Sequence, residues 1–263
     1  MQYVLVTGAY GGMGKAVTQA LKNAGYFVFA LDKNVGEAEE NIFPIQADIT
    51  DKESLENAFL LVQKVTNNLF AILHFAGIYT LDSLVEMDDE KFRKLFEVNV
   101  FGAFYINKLF LPLLQKGSRI LITTSELAPL HPLPFTGLYA VTKSTLDKYA
   151  YSLRMELQLL GVSVILLRPG AVQTDMLHVS TTALDKFCEN TQLYSCNAKR
   201  FKRIVESVEA RHVSTQTLAK KALKALQAKR PKYVYHLNRN PLLLLLHILP
   251  TRLQTWIIKQ VLK

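Results

Sequence analysis

Short apolar runs and longer amphipathic stretches alternate from the start of the chain. Runs at 3–7, 27–31, 42–45, 69–75, 119–124 and 162–167 have strand length, and each is continuous in its hydrophobicity rather than alternating. Strands buried on both faces read this way, as in a parallel sheet covered by helices. Helical spacing of apolar positions predicts helices over 13–24, 51–65, 89–114 and 138–160. This rhythm predicts an α/β fold, a doubly wound parallel sheet of about seven strands flanked by helices. Beyond residue 175 the pattern changes. Residues 175–212 read as loop and short helix, 215–227 as a basic amphipathic helix, 232–236 as a last strand, and 241–263 as two short helices around Pro250. With no repeat and no linker, one domain over 1–263 is expected: a core at 1–175, a substrate lid at 176–213 and a basic, apolar C-terminal extension at 214–263.

Composition and charge refine this picture. The 263 residues are 49% hydrophobic, enough to fill a large core and to exclude disorder as the main state. Lys+Arg 31 against Asp+Glu 22 gives +9, but residues 199–263 hold fifteen basic and two acidic residues. That segment is +13 and residues 1–198 are −4. The basic clusters at 199–203 and 220–232 carry no nucleic-acid-binding signature, so no nucleic-acid partner is expected. Cys188 and Cys196 are too few for a disulfide framework, and no His pair has metal-ligand spacing, so no metal is expected. The first strand begins without the features of a secretory signal. The apolar stretch 241–249 is broken by His247 and falls short of the ~20 residues that span a bilayer. A cytoplasmic protein is expected, with peripheral membrane contact through 239–263 as an option. Residues 242–246 are apolar on all sides, and burial against the domain or a second subunit is the first expectation for them.

The first strand leads into Thr7-Gly8-Ala9-Tyr10-Gly11-Gly12-Met13-Gly14, then a helix. Glycines there let the backbone approach a pyrophosphate, and the helix N-terminus supplies free N–H groups. The second strand ends in Asp32, a carboxylate suited to both ribose hydroxyls and repelling a 2′-phosphate, which favours NAD over NADP. Lys15 and Lys33 are the counter-indication. Asp48, with Ile49 beside it, closes the third strand within reach of the adenine, while Asp51 fits a helix cap better.

At the start of the helix near 138, Tyr139 and Lys143 stand at i, i+4, which places phenol and ammonium on one face. The cation should favour phenolate and lower the tyrosine pKa. Ser125 ends a strand upstream, with Thr124 as an outside candidate for the same hydroxyl. Asn99 lies inside a long helix, where an asparagine is explained if its amide has a partner.

Together these residues resemble the short-chain dehydrogenase/reductase family, closely over 1–175. The motif Thr7–Gly14, Asn99, Ser125, Tyr139, Lys143 and the segment Arg168-Pro169-Gly170-Ala171-Val172-Gln173-Thr174 carry the resemblance. It implies a Rossmann-type fold and reversible hydride transfer between a secondary alcohol and a ketone. By the same resemblance the catalytic set is Asn99, Ser125, Tyr139 and Lys143, with Tyr139 as acid and base and Asn99 holding helix backbone and a water. Cofactor contacts would come from Gly8, Tyr10, Gly12, Met13, Gly14, Asp32, Asp48, Ile49, Ala76, Gly77, Tyr139, Lys143, Pro169, Gly170, Val172 and Thr174. A homo-oligomer, dimer or tetramer, is also implied. Two departures stand out: His74-Phe75-Ala76-Gly77 replaces the usual Asn-Asn-Ala-Gly, leaving Phe75 where an asparagine braces the sheet, and Glu126 looks inserted after the serine.

Residues 126–138 and 176–213 should wall a mostly apolar substrate site, and His131 and His178 could each reach a substrate. The tail from 231 resembles the retinol and hydroxysteroid dehydrogenase branch, which implies a small hydrophobic alcohol or ketone that is steroid, bile-acid or retinoid-like. A 3-oxoacyl-carrier-protein reductase and a non-catalytic NAD-sensing module are the alternatives.

Overall fold

The computed structural model describes residues 1–209 and 211–263, with side chains described for all of these except 175–181, 208 and 209. Strands β1 (Gln2–Thr7), β2 (Tyr26–Asp32), β3 (Ile42–Gln46), β4 (Leu69–His74), β5 (Leu114–Thr123), β6 (Ser163–Pro169) and β7 (Val234–Leu237) form one sheet in the order 3-2-1-4-5-6-7. Every neighbouring pair is parallel. Successive strand residues point to opposite faces, and both faces are dry. Val4, Val6, Ala71 and Leu73 pack beneath α1 (Gly12–Asn23) and α8 (Thr215–Gln227). Leu5, Phe29 and Ile72 face α2 (Lys52–Gln63) and α4 (Gly102–Phe110), while Ile120, Ile122 and Val164 face α5 (Gly137–Leu157). This is why the strands read as continuous hydrophobic runs. Strand order reverses between β1 and β4, which opens a crevice beyond their carboxyl ends.

The helix expected over 89–114 forms in pieces. α3 (Asp89–Phe96) passes through a π turn (Glu97–Phe101) into α4, and Leu114 already belongs to β5. The loop and short helix expected over 175–212 are corrected to two longer helices, α6 (Asp175–Asn190) and α7 (Ser195–Glu209). Their apolar positions, Leu184 with Phe187 and Ala198 with Phe201, Ile204 and Val205, follow helical spacing and share one cluster. The density of charge around them hid that spacing in the sequence.

The tail forms α9 (Pro241–Ile248) and α10 (Thr251–Leu262) on either side of Pro250. Burial of 242–246 within the chain is also corrected: α9 buries no residue fully, and Leu242 and Leu245 are exposed. α10 turns Ile258 and Leu262 onto α6 and α7, and Asn197 Nδ2 donates to the Leu262 carbonyl at 2.6 Å. Gln254, buried between the two helices, donates to the carbonyls of His247 and Leu249 and lies 3.0 Å from His131 Nδ1.

The replaced asparagine near β4 leaves no gap. Phe75 N donates to the Thr7 carbonyl at 2.9 Å, and the Phe75 ring joins the core. His74 Nε2 meets Asn107 Oδ1 at 2.8 Å, and Asn107 Nδ2 donates to the Tyr149 hydroxyl at 3.1 Å. Burial pulls the His74 pKa down to about 4, so the ring is neutral. A second tie joins α5 to β6: Arg168 grips Asp147 through two hydrogen bonds of 2.9 and 2.6 Å, both side chains mostly buried.

Candidate active site

The crevice starts at the β1–α1 turn. Gly8 has φ +67°, and a Cβ there would sit 2.4 Å from Ala76 N. A Cβ on Gly14 would lie 1.9 Å from the Gly8 carbonyl oxygen, so the turn closes only with hydrogen at both positions. Gly11 caps α1 without any side-chain hydrogen bond, which leaves the first N–H groups of the helix facing the crevice. Gly12 abuts the Thr174 side chain, and a Cβ there would stand 2.7 Å from it. Tyr10 N donates to Asp32 Oδ2 at 2.9 Å, which fixes the carboxylate at the end of β2, and the Tyr10 ring packs on Gly36 and the core.

Asp48 accepts from Thr50 N and Oγ1 and pairs with Lys33 at 2.8 Å, so Lys33 is engaged rather than free. Its partners hold the Asp48 carboxyl below its ordinary range. Asp51 caps α2 through Glu53 N and Ser54 N, as expected. The Ile49 side chain is buried against Gly102, so only its backbone is left to face an adenine. These groups suit a dinucleotide: a backbone cradle for a pyrophosphate, then a carboxylate for ribose hydroxyls.

The π turn buries Asn99 and aims its amide at the chain after β4. Oδ1 accepts from Ile78 N at 2.8 Å, and Nδ2 donates to the Ile78 carbonyl at 3.0 Å and to Thr142 Oγ1 at 3.1 Å. The expected grip on helix backbone is thus a grip on the loop that carries Ala76, Gly77 and Ile78. Ser125 follows β5, and its Oγ accepts from Leu127 N at 3.1 Å. Thr124 Oγ1 instead points to Asp147 at 3.4 Å, away from the role held open for it.

Met13, Gly77, Ser125, Tyr139, Lys143, Pro169, Gly170, Val172 and Thr174 line one cavity of about 220 Å³. Lys143 Nζ lies 5.7 Å from the Tyr139 ring centroid and donates to the Thr123 carbonyl at 3.2 Å. The expected lowering of the tyrosine pKa is corrected. Burial pushes the Tyr139 phenol up to about 12, offset in part by a hydrogen bond with Ser125. The same desolvation brings Lys143 down to about 8. Removing water from both groups outweighs their attraction at this separation.

The outer wall is apolar: Phe75, Ile78 and Leu133, then Phe201 and Val205 from α7 and Leu243 from α9. Tyr79 sets its ring 4.6 Å from Tyr139, edge to face. Sequence reasoning missed Tyr79 and Leu243. The i, i+3, i+4 spacing of Phe201, Ile204 and Val205 was the available signal for α7. Glu126, the inserted residue, also lines the cavity. Its N–H donates to the Pro169 carbonyl at 2.8 Å, Oε2 accepts from Asn240 N at 2.7 Å, and burial pushes its pKa up. His131 does not reach the cavity lining and instead joins Gln254 and His247, whose ring centroid is 4.7 Å away. His178 lies outside the described side chains.

A family model described as short chain dehydrogenase matches residues 2–185. Estradiol 17-beta-dehydrogenase 2 of Mus musculus is 35% identical over 187 residues, covering 66% of this chain and 49% of that protein. The chain thus aligns with about half the length of that relative. NADPH-dependent 3-dehydrocapnine reductase of Ornithobacterium rhinotracheale is 26% identical over 249 residues, 89% of this chain and 87% of its own. Among solved structures, a short chain dehydrogenase family protein from Francisella tularensis superposes with a TM-score of 0.75 at 24% identity, covering 90% of this chain and 96% of that one.

Proposed function

The chain belongs to the short chain dehydrogenase family, and from that premise we propose that it interconverts a secondary alcohol and a ketone on a hydrophobic substrate, with NAD(H) and with Tyr139 as acid and base. The observation that carries this reading is the meeting of Ser125, Tyr139 and Lys143 in one apolar cavity beside residues 169–174. A bound nicotinamide dinucleotide supplies the hydride for reduction or accepts it for oxidation. Ser125 Oγ holds the substrate oxygen next to the Tyr139 hydroxyl, which gives its proton to a carbonyl or takes one from an alcohol. With its pKa at about 12, Tyr139 carries the proton at neutral pH, so reduction starts from the resting form of the site. Lys143 would stabilise phenolate as it builds and, with a dinucleotide bound, would donate to ribose hydroxyls. Asn99 positions Ile78 and Thr142 and touches no reacting atom.

Asp32 supports NAD over NADP: its carboxylate opposes a 2′-phosphate, and the adjacent Lys33 is tied to Asp48. The Ornithobacterium relative is named for NADPH, and an NAD preference would set this chain apart from it. The apolar wall and the estradiol dehydrogenase relative support a steroid, bile-acid or retinoid-like substrate. The test is a panel of such alcohols and ketones, with aliphatic controls, assayed with both dinucleotides. We expect NAD-linked turnover that Tyr139→Phe lowers about a thousandfold while dinucleotide binding persists. Unchanged kcat in that variant overturns the mechanism, and a wide preference for NADP overturns the reading of Asp32.

A further inference from the structure

Two observations about the tail are left unused by the chemistry above. α9 holds Leu242, Leu245 and Ile248 at i, i+3 and i+6, and they are 65, 60 and 78% exposed. α10 with its C-cap carries Arg252, Trp256, Lys259 and Lys263 at i, i+4, i+7 and i+11, one stripe on which every side chain is exposed and Trp256 is the chain's sole tryptophan. An apolar ridge and an aromatic–cationic stripe thus lie on either side of Pro250. The inner faces of the same helices are fixed: Ile258 and Leu262 pack on α6 and α7, Gln254 ties the turn, and Leu243 enters the cavity wall.

We propose that the outer face of α9 and α10 docks on an anionic lipid surface, with the mouth of the catalytic cavity at the contact. Largely exposed leucine and isoleucine on an eight-residue helix favour transfer out of water, and such a helix, about 12 Å long, lies in an interface rather than crossing it. Tryptophan prefers the head-group level, and lysine or arginine around it meets lipid phosphates. Residues 210–263 contain no Asp or Glu, so no acid of the tail offsets this attraction. That same uniformity argues against a second copy as the occupant, because a two-fold contact through this face would set like charges opposite one another. Leu243 places the ridge beside the cavity, so a hydrophobic substrate dissolved in the lipid enters without crossing water. The docking stands apart from the reaction and can be tested without it.

The experiment is flotation of the full chain with vesicles of phosphatidylcholine alone or mixed equally with phosphatidylglycerol, alongside Trp256 emission. We expect flotation and a blue-shifted, quencher-resistant emission with the mixed vesicles only, both weakened by salt. Reversing Arg252, Lys259 and Lys263 to Glu should lower the partition coefficient about a hundredfold. Leu242→Ser with Ile248→Ser should abolish flotation while leaving circular dichroism and turnover of a water-soluble alcohol unchanged. Absence of flotation with unshifted emission overturns the proposal. So does binding indifferent to charge reversal, or a blue shift that grows with protein concentration when no lipid is present.

Discussion

The nucleotide and catalytic end and the tail end of this molecule treat their side chains in opposite ways. In the first, buried polar side chains hold specific partners: Asn99 on Ile78 and Thr142, His74 on Asn107, Arg168 on Asp147. In the second, apolar groups such as Leu242 and Trp256 face solvent, and a few separate hydrogen bonds join it to the rest of the chain, at Glu126–Asn240, His131–Gln254, Ala171–Asn238 and Asn197–Leu262. On the proposed function, the difference separates two tasks. Proton transfer needs donors held to fractions of an ångström, which dense polar networks supply. Selecting a substrate needs a surface of suitable shape, which tolerates variation. The family model follows the same division, for it ends at residue 185.

The contrast can be broken by mutation, and its largest expression is kinetic. Tyr139→Phe should lower kcat about a thousandfold, ~4 kcal/mol of barrier, whereas Phe201→Ala in the cavity wall on α7 should act mainly on KM. Comparable loss of kcat in both would dissolve the division of labour. Next in size, Arg168→Met leaves the Asp147 carboxylate buried without its partner and should reduce unfolding free energy by about 3 kcal/mol in urea titration. Equal destabilisation by removing an exposed cation such as Arg252 would contradict the picture of a rigid core.

Acid should strike the core before the tail. His74 titrates near 4 when folded and near 6.5 when unfolded, so the unfolded chain binds the extra proton between those values. Stability is then complete above pH 6.5 and falls by up to about 3 kcal/mol as pH drops to 4. His74→Gln should flatten that slope in urea titrations across this window. The smallest effect concerns the joint itself: Glu126→Ala removes the acceptor for Asn240 N and should lower stability by about 1 kcal/mol while raising KM more than it lowers kcat. Glu126→Gln, which keeps an acceptor oxygen, should recover most of the loss.

The sheet was legible because burial on both faces leaves an unmistakable trace, six continuous apolar runs and a seventh near 232. The gathering of Ser125, Tyr139 and Lys143 was legible because strand ends and an i, i+4 pair are local geometry. Protonation was not: whether Lys143 lowers the Tyr139 pKa depends on how much water both lose, a property of packing. Helix α7 was obscured because Lys199, Arg200, Lys202 and Arg203 interrupt the apolar positions that define its inner face. Tyr79 and Leu243 lacked any local signal. They reach the cavity only because the chain after β4 and the chain after β7 end at the same place.

That shared place follows from the direction of β7. A last strand laid parallel to β6 delivers the chain to the edge where every other strand ends, with Leu237 level with Pro169. Asn238, at φ 54°, then turns the chain and donates to the Ala171 carbonyl at 2.8 Å. An antiparallel seventh strand would have released the C-terminus at the far edge, remote from any reacting atom. In this topology whatever sequence follows residue 238 is born on the rim of the catalytic cavity. Evolution or an engineer can therefore exchange that segment to change what is admitted, and the strands that hold the chemistry need not change at all.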